Sequence, residues 1–223
     1  MKRTIFITGT GTGAGKTVLT ALLAGFFRGH GLRVAALKPV CSGGREDARI
    51  LRAALGGALT LDEINPWHYR AALAPLLAAR KERKQARLAP VLAQLRKVGR
   101  DFDVVLIEGA GGLLSPLGAG FNSRDLIAAL DAAPVVVAPN QLGVVNHILL
   151  TLEALPAAFR ARSRVVLMTP PRPDSATASN ARLLKELSIQ PVCRLPWLGA
   201  DFSPGAVLRE PRVWRSLTAL VAD

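Results

Sequence analysis

The residues that could do chemistry begin with GTGTGAGKT, residues 9–17. Lys16 and Thr17 follow Gly15 as they would in a phosphate-binding loop, G-x-x-x-x-G-K-[ST]. The first glycine departs from that pattern: Thr10 holds its place, and five residues separate Gly9 from Gly15. Small residues at Gly13, Ala14 and Gly15 let backbone N–H groups close on phosphate oxygens. A helix starting just after them would add the positive end of its dipole. Lys16 would then reach the β- and γ-phosphates of a nucleotide, and the Thr17 hydroxyl would ligate Mg²⁺. Such an ion takes further oxygen ligands, typically one or two carboxylates. Glu108 ends the apolar run DVVLIE and precedes GAGG, residues 109–112. Asp47 lies in CSGGREDARIL, where a helix-cap role is the alternative. Lys38 ends a second apolar run, VAALKPV. It reads equally as a cation facing a transferring phosphoryl group and as a lysine carrying its ammonium out to solvent.

These side chains need elements to hold them. TIFIT (4–8) is a short apolar, β-branched run that predicts a buried strand. Helical spacing follows from Lys16 to Arg28 and stops at Gly29 and Gly31. Further strands are expected at 33–39, 103–108, 134–139, 164–169 and 191–195. Helices are expected at 47–55, 71–99, 144–159 and 176–187, with a last one from about Arg212. Apolar strands alternating with helices predict a doubly wound, mostly parallel sheet with helices on both faces, of the P-loop NTPase type. Neither a linker nor a repeat divides the chain, so one domain over residues 1–223 is expected, with ligands at the C-terminal strand ends.

Composition narrows the classes. The chain has 223 residues, 50% hydrophobic and 20% charged, which is globular and not disordered. Cys41 and Cys193 lack ligand spacing and read as reduced thiols of a cytoplasmic protein. No stretch of about 20 apolar residues offers a membrane span. The formal charge of +13 points to anionic partners. Its densest run, residues 79–100, holds Arg80, Lys81, Arg83, Lys84, Arg87, Arg96, Lys97 and Arg100. Leu88, Val91, Leu92, Leu95 and Val98 give this run helical spacing, and it has no aromatic residue to stack a base. It reads as an amphipathic surface helix with a solvated basic face, and nucleic acid is not the expected partner.

The motifs, taken in order, resemble the dethiobiotin synthetase family. That family has the same five-residue gap, in G-T-D-T-x-V-G-K-T. Its K-P-V-x-S-G segment is matched by Lys38 to Gly43, its E-G-A-G-G by Glu108 to Gly112, and its G-x-x-N-H by Gly143 to His147. Asn65-Pro66 and Pro196-Trp197-Leu198 fit as well. The resemblance implies a cyclo-ligase that uses ATP and Mg²⁺ to close a ureido ring on 7,8-diaminononanoate with CO₂ or bicarbonate. It implies Lys38, Lys16 and Thr12 as catalytic, and Thr17, Asp47 and Glu108 as holding Mg²⁺. Nucleotide contacts would come from Gly13, Ala14, Gly15, Lys16, Thr17 and Val18, from Glu108, Gly109, Ala110 and Gly111, and from Pro196, Trp197 and Leu198. The diamine would meet Thr12 and Ser42. In a homodimer, Gly143, Val144, Val145 and Asn146 would bind its carboxylate across the interface. The chain departs from the family at several places. Gly11 replaces the usual Asp and Ala14 the usual Val, and S-P-H becomes Ala74-Pro75-Leu76. The adenine-reading Asn is missing before Thr169-Pro170-Pro171, and so is an aromatic residue near Ala178.

Two other classes share such a sheet. A switch ATPase of the partitioning and division type carries an extra lysine five residues before the main one, where this chain has Gly11. An amidotransferase-like synthetase needs a glutaminase domain, for which 223 residues leave no room.

Overall fold

The first strand, β1 (Arg3–Gly9), is buried from Ile5 to Gly9, as its apolar, β-branched sequence requires. In the computed structural model, which describes residues 3–189, 191–199, 202 and 204–222, β1 lies inside a six-stranded parallel sheet. The chain continues through α1 (Lys16–Gly29), β2 (Val34–Leu37), β3 (Val40–Ser42), α2 (Glu46–Ala54), α3 (Leu61–Ile64) and β4 (Trp67–Tyr69). Next come α4 (Pro75–Lys81), α5 (Leu88–Val98), β5 (Val104–Glu108), α6 (Ser123–Leu130), β6 (Ala133–Pro139) and α7 (Val144–Glu153). The last elements are α8 (Ala157–Arg160), β7 (Arg164–Met168), α9 (Ser175–Glu186), β8 (Val192–Leu195), α10 (Pro204–Val207) and α11 (Pro211–Val221). The large sheet has the order β2-β5-β1-β6-β7-β8, and β3 pairs with β4 in a separate parallel ribbon.

Register puts Ile7 of β1 beside Glu108 of β5. Successive side chains of a strand point to opposite faces. Glu108 therefore faces α1, where Thr17 bonds to it, whereas Phe6 and Gly109 face Ser123 of α6. Helices thus cover both faces: α1 packs on β1, β2 and β5, and α6, α7 and α9 pack on β1, β6 and β8.

Three expected elements break where proline dictates. The helix expected over 71–99 is two helices, α4 and α5. Pro90 is the third residue of α5, where its missing N–H costs nothing, but in a continuous helix it would remove a hydrogen bond and clash with the preceding turn. The helix expected over 144–159 ends at Glu153, ahead of Pro156. The strand expected over 33–39 leaves the large sheet after Leu37, and beyond Pro39 the chain restarts as β3. The α3–β4 segment carries no strong period and was not anticipated, yet its Ile64 and Asn65 hold the backbone of Lys38 in the site described next.

Candidate functional site

The phosphate-binding loop connects β1 to α1, as expected. Gly13 (φ 74°) and Gly15 (φ 94°) both adopt left-handed backbone, and Gly15 is the residue from which α1 starts. Glycine takes this geometry without the penalty a Cβ brings. Lys16 is buried, and its Nζ donates to the Gly11 carbonyl at 2.8 Å. Burial, with the Lys38 charge second, pushes its pKa down to about 8.

Lys38 does not reach solvent. It is 3% exposed, and its ammonium donates to Asp47 Oδ2 at 2.6 Å and to Glu108 Oε1 at 2.5 Å. Of its two sequence readings, the structure favours the one that keeps the cation inside. Burial opposes that charge, but Glu108 and then Asp47 outweigh it and raise the Lys38 pKa. Burial likewise works against the Asp47 carboxylate, and Lys38 overcomes this to hold its pKa below the ordinary value. The backbone around Lys38 is clamped from α3 and the residue after it. Its N–H donates to Ile64 O at 2.9 Å, and its carbonyl accepts from the fully buried Asn65 Nδ2 at 2.7 Å. Asn65 Oδ1 also accepts from the Cys41 thiol at 3.1 Å.

Thr17 Oγ1 donates to Glu108 Oε1 at 2.8 Å, while Glu108 Oε2 is buried without a hydrogen-bond partner among the described residues. A hydroxyl and two carboxylates, one with an unsatisfied oxygen, are hard ligands suited to Mg²⁺. Among the described residues no group of three or more His, Cys, Asp or Glu converges. The set therefore fits an ion that brings phosphate and water ligands with it, and not a closed all-protein cage.

These groups line a cleft of about 740 Å³. Thr12, Gly13, Ala14, Gly15, Lys16, Thr17, Val18, Lys38, Ser42, Asp47, Glu108, Ala110 and Gly111 all border it, so most of the sequence-derived site converges. Cys41, Ile50, Ala72–Pro75 and Ser115 border it too, and pattern alone did not single them out as site residues. Cys41 had a signal at the variable position of the K-P-V-x-S-G match, and Ala74-Pro75 as the altered S-P-H segment. Ser42 Oγ donates to Leu73 O at 2.6 Å, so toward the cleft the hydroxyl offers its lone pairs.

A second cavity, about 370 Å³, lies across the loop. Gly13, Ala14, Gly15 and Val18 border it from one side, and Pro196, Trp197 and Leu198 from another. Met168, Pro139 and Pro170 make it largely apolar, and Trp197 is 51% exposed, available as a stacking surface. Two groups of expected residues lie elsewhere. Gly109 borders neither cavity: a Cβ there would meet Ser123 Oγ at 2.6 Å, so the position serves strand–helix packing. Gly143–Asn146 open α7 but do not line the cleft of their own chain; Gly143 and Asn146 are exposed and Val144 is buried.

Known proteins are similar to this chain. A family model described as an AAA domain matches residues 3–200. The ATP-dependent dethiobiotin synthetase of Anaeromyxobacter dehalogenans is 40% identical over 201 residues, covering 87% of this chain and 90% of the relative. The chain belongs to the dethiobiotin synthetase family. A family member from Akkermansia muciniphila is 34% identical over 209 residues, covering 93% of this chain and 98% of that protein. Among solved structures, a ParA family ATPase from Chlorobium tepidum aligns with a TM-score of 0.60 at 13% identity, covering 97% of this chain and 96% of the other. At that identity the likeness shows the fold alone.

Proposed function

We propose that this chain is an ATP-dependent ligase that converts 7,8-diaminononanoate and CO₂ to dethiobiotin, in biotin biosynthesis. Family membership supports the ATP-dependent synthesis. The observation that carries the chemistry is the pair of buried lysines, Lys16 and Lys38, bordering one cleft beside two carboxylates. A carbamate attacking a triphosphate is an anion approaching a polyanion. Fixed cations in a site of low dielectric offset that repulsion.

In this reading one amine of the substrate takes up CO₂ and loses a proton to become a carbamate. A carbamate oxygen attacks the γ-phosphorus, ADP leaves, and a mixed carbamic–phosphoric anhydride remains. The second amine then attacks the carbonyl carbon, closes the ureido ring and expels phosphate. Lys16 holds the β- and γ-phosphates, and Lys38 stabilises charge on the transferring phosphoryl group. Ser42, its hydroxyl hydrogen committed to Leu73 O, accepts an amine hydrogen. Thr12, exposed on the loop, donates to the carbamate. Thr17, Asp47 and Glu108 would hold Mg²⁺, which when bound neutralises phosphate charge. The apolar cavity at Trp197 takes the base. A homodimer supplies the remaining carboxylate site through Gly143–Asn146. The exposed Leu142 and Leu150, 83% and 62% accessible, support an interface at α7.

The test is direct. Purified protein with diaminononanoate, labelled bicarbonate, Mg²⁺ and ATP yields labelled ring product. Absence of product with every common nucleoside triphosphate would sink the reading.

A further inference from the structure

Two walls of the cleft continue beyond it. Ala74 and Pro75 border the cleft where α4 begins, and the far end of α4 carries Arg80. The loop after β5 borders the cleft at Gly111 and Ser115, then runs on to Gly118 and Ala119. Leu76 N–H donates to Pro116 O at 3.2 Å and ties the two walls together. Between their extensions lies a separate cavity of about 340 Å³, bordered by Arg80, Arg83, Lys84, Gln85, Gly118 and Ala119.

Its charges are poorly balanced. Among the described residues, neither Arg80 nor Arg83 has a side-chain hydrogen bond or ion pair, and Lys84 has one carboxylate partner, Glu82, at 3.2 Å. The other Glu82 oxygen is engaged by the N–H groups of Arg70 and Ala71. Arg83 also sits in left-handed backbone, φ 53°, in the turn that closes α4. Lys84 N–H to Ala79 O at 2.8 Å and Arg83 N–H to Arg80 O at 3.1 Å complete that turn. Glycine is the usual residue there and would close it with less strain. The turn itself gives no reason for arginine.

We infer that this cavity binds a small multivalent oxyanion of the phosphate class. Two guanidinium forks match the paired oxygens of such a group. Among the described residues no aromatic side chain borders the cavity, so a nucleic-acid base finds no stacking surface, and Arg80, Arg83 and Lys84, all exposed, are open to an anion from solvent. This site stands apart from the nucleotide cleft and does not depend on the reaction assigned to that cleft.

The experiment is calorimetric titration of the full chain with inorganic pyrophosphate, after a non-hydrolysable triphosphate has saturated the phosphate loop. Wild type should show a binding event. Arg80→Gln should weaken it about tenfold or more, as expected for losing a charge-assisted hydrogen bond. Arg83→Gly relieves the left-handed arginine, so it should hold or raise Tm while also weakening pyrophosphate about tenfold. That pairing separates a lost ligand contact from a damaged fold. The absence of an event in wild type, or an event unchanged in both variants, overturns the inference. Displacement of pyrophosphate by duplex DNA at equal phosphate concentration also overturns it and reassigns the face to nucleic acid.

Discussion

Nucleotide binding should draw protons from solution near pH 8. In the free protein, burial and the Lys38 charge hold the Lys16 pKa at about 8, so half of the Lys16 side chains are neutral at that pH. Phosphate oxygens at the loop restore the charged form and move the pKa back toward the ordinary value of about 10.4. Uptake on binding is then about 0.1 proton at pH 7, about 0.5 at pH 8 and about 0.9 at pH 9. Above pH 8 each further unit weakens binding up to about tenfold until pH passes the pKa of the complex. The free protein should respond in the opposite sense. Its Lys16 pKa is lowered by folding, so the buried charge destabilises it most below pH 8, and that cost fades as pH rises toward 10.5. The drop from 10.5 to about 8 corresponds to about 3 kcal/mol. Titration calorimetry in two buffers of different ionisation enthalpy measures the uptake. The nucleotide's own last ionisation, at about 6, is complete by pH 8 and does not contribute. Lys16→Met should abolish the buffer dependence. Tight binding at pH 8 with no proton uptake would refute the reasoning, because Lys16 would then be fully charged before the phosphates arrive.

Other expectations concern the groups around it. Lys38→Met leaves Glu108 buried without its cation, so it should cost about 3–5 kcal/mol in chemical denaturation. It should also cut turnover at least about a hundredfold while triphosphate binding stays measurable; full turnover would remove Lys38 from the chemistry. Asn65→Leu keeps the volume but strips the Lys38 carbonyl of its donor, for a loss of about 1–3 kcal/mol in stability and a lower kcat, checked by denaturation and rate assay. Gly15→Ala puts a Cβ in left-handed backbone and within 2.8 Å of Met168 Cγ, so stability should fall by about 1–2 kcal/mol and nucleotide affinity with it, read by Tm with and without nucleotide.

Much of this was legible in the sequence. Apolar runs alternating with helical spacing anticipated the strands of the large sheet and most of its helices, because parallel strands buried on both faces leave little room for polar residues. Glu108 was legible because a carboxylate ending a buried strand before a glycine turn has few bland explanations. Lys38 was not decided by its position, because a lysine at a strand end can leave for water. Asp47 and Glu108 hold it inside, from elements 9 and 70 residues further along the chain. Leu73 and Ser115 were illegible for a related reason: the loops after β4 and after β5 bring them to the cleft, and neither has a period to read. The two overextended helices had a visible signal in Pro90 and Pro156, which outranked the helical spacing around them.

Gly13, Ala14 and Gly15 border both the cleft and the apolar cavity, so one strand of backbone is a partition with a face in each. Met168 leans on that partition at Gly15 from the side of the apolar cavity. Under the proposed function, with the base in the apolar cavity, recognition of the base and alignment of the γ-phosphate are therefore not separable traits. A redesign that enlarges or polarises Met168 to choose a different base will shift the wall against which the phosphates are aimed. Base-preference variants should accordingly be screened on turnover and not on nucleotide affinity alone.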